Sequence, residues 1–306
     1  MISDEKDPAV SGSDFLADSP QNRENSQEAS PAEATPPSQQ QLPPSPTIPP
    51  SNLFPDLRVP WGWTDLALFV GSGAAVLFFI SLVAVRIFVK FGVSLAQIQH
   101  SPAKQGIYVF ATEVPLMFVL LGILALQMRI RSSAPVWQTI GWRPLSTDLL
   151  PRWLVVTGLL VSGALLSLLV SLVSSEFQPK TSLPIQAFFE NRLSAVLLMT
   201  MAVVFAPIFE ETLFRGYLYP VLARSWGVMP GVLVTGTLFG LMHSMQLWGG
   251  WVQIALLVCV GIIFTYVRAV AKTVVASYLL HVSYNSSIFL GFLIASHGLR
   301  HLPSFH

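Results

Sequence analysis

The sequence has 306 residues, of which 52% are hydrophobic and only 11% are charged. Soluble domains carry about 25% charged residues, so this composition excludes an ordinary soluble protein. Residues 1–50 hold 8 acidic and 2 basic side chains, whereas the remainder holds 8 acidic and 15 basic ones. A basic body of this kind suits an anionic membrane surface, and nothing in the sequence indicates nucleic-acid binding.

The N-terminal segment differs from the rest in composition. Ten of the 23 prolines precede residue 51, among many Ser, Gln and Glu residues. Such a segment cannot bury enough apolar surface to fold alone, and it lacks the apolar region of a signal peptide. We predict residues 1–57 to be a disordered, Pro-, Ser- and Gln-rich tail, whose partner the sequence does not identify.

Long apolar runs follow the tail, and their length matches the roughly 17–25 residues that span a bilayer. The fold class is therefore predicted to be all-α, a polytopic transmembrane helical bundle of about seven spans, with eight as the alternative count. The seven spans cover about 66–85, 106–127, 153–173, 193 to the pair at 210 and 211, 228–243, 252–267 and 273–294.

The chain divides on this basis into the tail, N-terminal membrane helices with an interfacial connector at 58–149, a core at 150–295, and a C-terminal tail at 296–306. If the N-terminal tail is cytoplasmic, nine basic residues flank the spans on the inner side and six on the outer side. Positive charge favours the cytoplasmic side, so we predict that the tail is cytoplasmic.

The stretch Phe205–Tyr217, FAPIFEETLFRGY, holds three charges next to a long apolar run. Each charge at a helix centre costs about 2.5–3.5 kcal/mol on insertion scales. Residues four apart share a helix face, so Glu211 and Arg215 are predicted to pair. Glu210 points about 100° away from Glu211 and is therefore available for another role. The alternative is that this helix has emerged into the headgroups, where all three side chains are solvated.

Two further motifs place polar residues in apolar helices. His243 closes the run FGLMH, and His281 and Asn285 lie four apart in HVSYN. Considered separately, His243 could simply be solvated at a helix end, and His281 and Asn285 could simply form hydrogen bonds that hold neighbouring helices together. Together with the Glu pair, the three motifs suit hydrolysis, because a carboxylate beside an imidazole takes a proton from water. Neighbouring His and Asn side chains can also stabilise an oxyanion.

Other hydrolytic chemistries fit the sequence poorly. It has no HExxH metalloprotease motif, no GxSxG elbow, and no pair of aspartates within the spans. Glu210, His243 and His281 could still form a zinc site, which only their separation in space decides.

The segments EETLFR, FGLMH and HVSYN resemble the EExxxR, FxxxH and HxxxN/B motifs of the CPBP (Abi) family, which includes the type II CAAX prenyl endopeptidases and bacteriocin-processing and immunity proteins. The motifs run from Glu210 to Asn285 in the family's order. The resemblance implies that residues 150–295 are the catalytic core of an intramembrane protease.

By the same resemblance, Glu210 activates the hydrolytic water with the help of His243, and His281 and Asn285 are oxyanion donors. Glu211 and Arg215 are the supporting ion pair. The resemblance implies no cofactor, since the favoured mechanism for the family is metal-free, and zinc stays open as the alternative. The implied partners are the lipid bilayer and a membrane-associated peptide or protein.

Eukaryotic members of the family cleave the last three residues from prenylated CAAX tails. This chain has a short body and an unrelated tail, which resembles bacterial members and implies a multi-pass protein of a bacterial plasma membrane. Two other functions stay open. One is a non-catalytic scaffold or immunity-type protein that binds a peptide in the same cavity. The other is a transporter in which Glu113 and Glu210 relay protons.

Overall fold

The computed structural model describes residues 55–146 and 150–304, and every regular element within these ranges is helical. The prediction of an all-α bundle is therefore confirmed. The prediction of a disordered tail falls on residues 1–54, which lie outside the described residues.

The helices follow one another with short connections. In chain order they are α1 Trp63–Lys90, α2 Leu95–His100, α3 Pro102–Arg131, α4 Val136–Ile140, α5 Arg152–Glu176, α6 Arg192–Thr200, α7 Ala206–Glu210, α8 Tyr219–Trp226, α9 Val228–Met242, α10 Trp251–Ala271 and α11 Val274–Ala295. Short 3-10 helices cover Pro55–Leu57 and Pro184–Glu190.

Six helices in the described part of the chain are long and apolar enough to cross a membrane. They are α1, α3, α5, the composite helix Arg192–Trp226, α10 and α11. The predicted span at 228–243, the fifth in chain order, corresponds to α9, which is apolar but has only 15 residues. The chain is an integral multi-pass membrane protein.

The composite helix Arg192–Trp226 is not α-helical throughout. It contains π-helical segments at Met201–Phe205 and Glu211–Leu218, and each segment ends two residues before a proline, Pro207 or Pro220. Proline has no N–H to donate, and its ring clashes with the carbonyl four residues earlier. The preceding turn therefore widens to the i→i+5 pattern of a π-helix.

Small residues let α9 and α10 pack at close range. A Cβ atom at Gly236 would overlap the backbone of Ile262, and one at Gly261 would overlap the carbonyl of Gly236. Such close backbone approach is typical of helix pairs in membranes. The backbone of α10 also lies next to the composite helix, where the carbonyl oxygen of Gly261 accepts a hydrogen bond from Arg215.

Residues 55–63, here termed the N-terminal strap, lie across one end of the bundle. Asp56 accepts a hydrogen bond of 2.9 Å from Arg268 Nη1, and both side chains are buried. Arg224 donates to the carbonyl oxygens of Val59 and Trp61 at 2.8 and 2.7 Å. The buried ion pair thus binds Pro55–Leu57, which the sequence assigned to the end of the tail, to the bundle.

The connector after α3 reaches into the bundle. It turns at Gly141, which has a positive φ of 104°, and its carbonyl accepts a hydrogen bond from Val274 N–H at 2.9 Å. The indole of Trp142 then donates to Thr212 Oγ1 at 3.0 Å and packs against the ring of Tyr278. Trp142 thus joins the connector to the composite helix beside the Glu pair.

Candidate functional site

The second π-helical segment carries the supporting ion pair. Arg215 Nη1 lies 3.0 Å from Glu211 Oε1, and both side chains are fully buried. The spacing of four residues predicts this pairing, and burial makes it necessary, because an unpaired charge in an apolar interior is costly.

The other nitrogens of Arg215 bind α10. Nη2 donates to the carbonyl oxygen of Gly261 at 2.8 Å, and Nε donates to Thr265 Oγ1 at 3.2 Å. The ring of Phe239 lies 4.3 Å from the guanidinium carbon, within the range of a cation–π interaction. Sequence reasoning missed Gly261 and Thr265, and no motif signalled them, because their contact with Arg215 depends on the packing of α10 against the composite helix.

Glu210 lies between the two histidines of the candidate set. His243 Nε2 is 3.8 Å from Glu210 Oε1, and His281 Nε2 is 3.7 Å from Glu210 Oε2. These distances exceed the 2.7–3.2 Å of a direct hydrogen bond. The structure therefore brings together one carboxylate and two imidazoles from the composite helix, the end of α9 and α11.

The protonation of the two imidazoles follows from their partners. His243 Nδ1 lies 2.9 Å from the carbonyl oxygen of Phe239, which can only accept, so Nδ1 carries a proton. His281 Nδ1 lies 2.9 Å from Glu211 Oε1, the same oxygen that accepts from Arg215, so it also donates. Each histidine therefore turns Nε2 toward Glu210, as a second hydrogen bond orients catalytic imidazoles.

Glu211 also contacts His281, in addition to the predicted pairing with Arg215. The prediction assumed an α-helix, in which neighbouring residues are about 100° apart. A π-helix has more residues per turn, so consecutive side chains are separated by a smaller angle. Both carboxylates therefore reach His281, which they contact through different nitrogens.

Asn285 makes a different contact. Its Nδ2 donates to the carbonyl oxygen of Ala202 at 2.7 Å, in the first π-helical segment. It lies on the face of α11 that carries His281, one turn further along the helix. Its described hydrogen bond is to a backbone carbonyl. The structure therefore places Glu210 beside His243 and His281, whereas Asn285 is connected to them only because it shares α11 with His281.

Aromatic rings enclose the Glu–His cluster, by which we mean Glu210, Glu211, Arg215, His243 and His281. The ring of Phe239 lies 5.1 Å from that of His243 and 5.7 Å from that of His281, and the ring of Phe264 lies 4.9 Å from His281. Phe239 is the first residue of the FGLMH motif, and its position four residues before His243 could have identified it from sequence.

The cluster is exposed mainly at His243. The side chain of His243 is 20% exposed, whereas those of Glu210 and His281 are 10% and 3% exposed. Electrostatic interactions are stronger in such a desolvated setting than in water. The cluster is therefore most accessible on the side of His243, where α9 ends.

The structure does not pair Glu113, the other carboxylate considered for proton transfer, with Glu210. Glu113 lies within α3, and the described ion-pair contacts of Glu210 are to the two histidines rather than to this residue.

Among residues 55–146 and 150–304, no group of three or more His, Cys, Asp or Glu side chains has the arrangement of a metal site. Metal-free chemistry stays a prediction.

Comparison with known families agrees with the motifs. Residues 192–287, just under a third of the chain, match the family model for Rce1-like proteins, type II CAAX prenyl endopeptidase Rce1-like. No curated protein matches the chain, and no solved structure matches it. The matched segment includes every residue of the Glu–His cluster and Asn285, and it confirms the resemblance drawn from the three motifs. This part of the chain is thus similar to the Rce1-like type II CAAX prenyl endopeptidases.

Proposed function

We propose that the protein is an intramembrane endopeptidase that hydrolyses a peptide bond in or near the bilayer with a water molecule activated by Glu210 and His243. The family match supports a protease of the CAAX type. The observation that carries the finer proposal is the position of the Glu210 carboxylate, 3.8 and 3.7 Å from the Nε2 atoms of His243 and His281 in a nearly closed site.

The chemistry begins with a proton transfer. Glu210 takes a proton from water, and the hydroxide oxygen forms a bond to the carbonyl carbon of the scissile peptide. His243 holds the water through its Nε2 lone pair, because Nδ1–H is occupied by the carbonyl of Phe239. A positioned base of this kind accelerates a reaction by about 10²–10⁴-fold.

The oxyanion that forms needs donors. Asn285 has two amide N–H groups, of which one binds Ala202 and the second serves the oxyanion. His281 donates from Nε2 when that nitrogen carries a proton, since Nδ1 is occupied by Glu211. When the intermediate collapses, the C–N bond breaks and the leaving amine takes its proton from Glu210.

Glu211 and Arg215 position His281 in this proposal. The carboxylate of Glu211 holds the imidazole through Nδ1, and Arg215 fixes Glu211 against α10 through Thr265 and Gly261. Neither residue touches the reacting atoms in this scheme. Removing Glu211 should therefore lower activity less than removing Glu210 does.

The substrate is a membrane-associated peptide or protein, and the proposal does not commit to CAAX processing. The chain carries no cofactor in this mechanism. The proposed location is a bacterial plasma membrane with the N-terminal tail in the cytoplasm. That orientation places the strap end, with its many arginines, on the cytoplasmic side.

The test is cleavage of a membrane-tethered reporter library in proteoliposomes. The Glu210→Ala, His243→Ala and His281→Ala variants should each insert and fold but leave the reporters intact. Full cleavage by the Glu210→Ala variant would end the proposal. A peptide-binding scaffold predicts instead that the alanine variants keep the biological effect, and a proton-coupled transporter predicts substrate flux that depends on a proton gradient.

A further inference from the structure

A polar cavity lies at the strap end of the bundle. Its volume is about 450 Å³, and none of the Glu–His cluster residues lines it. The polar side chains of its lining, which come from the strap, the connector after α3 and α8, are those of Arg58, Arg143, Arg224, Ser132 and Thr139. Its position and its residues therefore separate it from the proposed peptidase site.

The lining is strongly basic. Arg224 donates to two backbone carbonyl oxygens of the strap, and Arg143 Nε donates to the carbonyl oxygen of Gln138 at 3.1 Å. Carbonyl acceptors orient a guanidinium group but leave its charge in place. No carboxylate is among the described lining residues.

The nearby carboxylates of the described chain are bound elsewhere. Asp56 pairs with Arg268, and Asp65 pairs with Arg131, each at 2.9 Å. They therefore satisfy other arginines and do not compensate the charge of Arg143 or Arg224. A cavity with this charge favours an anionic ligand.

Aromatic residues place the cavity at the depth of lipid headgroups. Trp63, Trp137 and Trp226 are each about half exposed at this end of the bundle, and the rings of Trp63 and Trp226 lie 5.3 Å apart. Tryptophan is enriched where a membrane protein crosses the membrane–water interface. The long helix α1 begins at this end, at Trp63, and the long helix α3 ends here, at Arg131.

We propose that this cavity binds the phosphate group of an anionic membrane lipid. Guanidinium groups present planar donors that match phosphate oxygens, and basic pockets between membrane helices bind anionic headgroups. Ser132 Oγ accepts from Ala134 N–H, which leaves the hydroxyl proton of Ser132 to donate. Free phosphate has the same chemistry, but the position of the cavity among the headgroups favours a lipid.

The test uses the full-length protein in detergent, with phosphatidylglycerol as the probe and phosphatidylcholine as the neutral comparison. Dissociation constants are measured by native mass spectrometry. Removing one arginine near an anionic lipid should weaken binding about fivefold, so Arg143→Gln should bind phosphatidylglycerol about fivefold more weakly. Binding of phosphatidylcholine should not change.

A second variant leaves every arginine in place. Ala134 is exposed at the rim of the cavity, so Ala134→Glu adds a negative charge without disturbing the core. It should weaken phosphatidylglycerol binding at least as much as Arg143→Gln does. The matched control is Arg152→Gln, which removes an exposed arginine at the same end that is not part of the lining, and it should bind like the wild type.

Three outcomes would overturn the proposal. One is an equal loss in Arg152→Gln, which would indicate diffuse attraction to a basic surface. Another is equal affinity for phosphatidylglycerol and phosphatidylcholine. The third is binding of inorganic phosphate that depends on Arg143 while binding of phosphatidylglycerol does not. Unchanged lipid binding by Glu210→Gln would support a site independent of the peptidase.

Discussion

Two buried arginine–carboxylate pairs in this protein have similar geometry but different surroundings. Glu211 and Arg215 lie 3.0 Å apart inside the composite helix, and Asp56 and Arg268 lie 2.9 Å apart between the strap and α10. The first pair continues into His281 and, through it, to Glu210. Within residues 55–146 and 150–304, the second pair makes no hydrogen bond or ion pair with a histidine.

The two pairs also differ in how well they are satisfied. Each pair has one buried carboxylate oxygen without a hydrogen-bond partner among the described residues, Glu211 Oε2 and Asp56 Oδ1. The difference lies in the guanidinium groups, because all three nitrogens of Arg215 have acceptors whereas Arg268 Nε is buried without one. A buried ion pair is weak support for either stability or function. The contacts beyond each pair therefore distinguish the two: in the proposed mechanism the Glu211 pair positions a catalytic group, whereas the Asp56 pair attaches the strap.

The largest effect is expected at Glu210, the carboxylate to which the first pair leads. Glu210→Gln keeps the shape of the side chain but cannot take a proton from water, so cleavage should fall by about 10²–10⁴-fold. The unfolding temperature in detergent should stay close to that of the wild type. Glu113→Gln is the control, because it removes a carboxylate from a span outside the cluster, and an equal loss there would contradict the assignment.

Breaking the first pair should affect both folding and activity. Glu211→Ala leaves Arg215 as a buried charge without its carboxylate, which costs about 3–5 kcal/mol. Because His281 also loses the acceptor of its Nδ1–H, the folded fraction should retain only partial activity. Denaturant unfolding and cleavage per folded molecule measure the two effects, and wild-type stability would show that the pair is not needed.

Breaking the second pair should affect folding alone. Asp56→Asn removes the charge partner of Arg268 and should lower the free energy of unfolding by about 3 kcal/mol, with full activity per folded molecule. The double variant Asp56→Leu with Arg268→Met should recover stability, since apolar replacements of buried pairs are often neutral or stabilising. Loss of cleavage in a stable double variant would show that the strap takes part in catalysis.

A smaller effect is expected at Phe239, whose ring contacts both imidazoles and the guanidinium of Arg215. Phe239→Leu keeps the carbonyl that binds His243 but removes the ring. We expect a loss of about 1–2 kcal/mol in stability and of about tenfold in cleavage, because a small displacement of catalytic groups lowers the rate. Phe264→Leu is the comparison, since Phe264 contacts His281 but not His243.

The smallest effect is expected from metal removal. In the proposed mechanism Glu210 activates water directly, so dialysis against a strong chelator should leave cleavage unchanged. Loss of activity that zinc restores would favour the alternative in which Glu210, His243 and His281 bind zinc. Dialysis against the same chelator saturated beforehand with zinc is the control for nonspecific effects of the chelator.

Composition and hydrophobic run length were sufficient to predict an all-α membrane bundle, because a lipid environment requires long apolar helices whose backbone groups are satisfied internally. The spacing of Glu211 and Arg215 predicted their contact for a similar reason, since residues four apart share a helix face. The polar residues at 210, 243 and 281 were found from sequence because charged and polar groups stand out in apolar runs.

Local patterns could not predict the contacts between distant segments. The pairing of Asp56 with Arg268 joins residues 212 positions apart, and neither residue lies in a motif. Glu211 reaches His281 because the composite helix packs against α11, and Thr265 reaches Arg215 because α10 packs against the composite helix.

The sequence by itself thus determined the class of the fold, the candidate side chains and the pairing within one helix, all of which depend on local periodicity and hydrophobicity. The tertiary structure alone decided that the two imidazoles turn Nε2 toward Glu210, that Asn285 binds Ala202, and that the strap is part of the bundle. Those facts depend on distances between helices, which a sequence pattern does not contain.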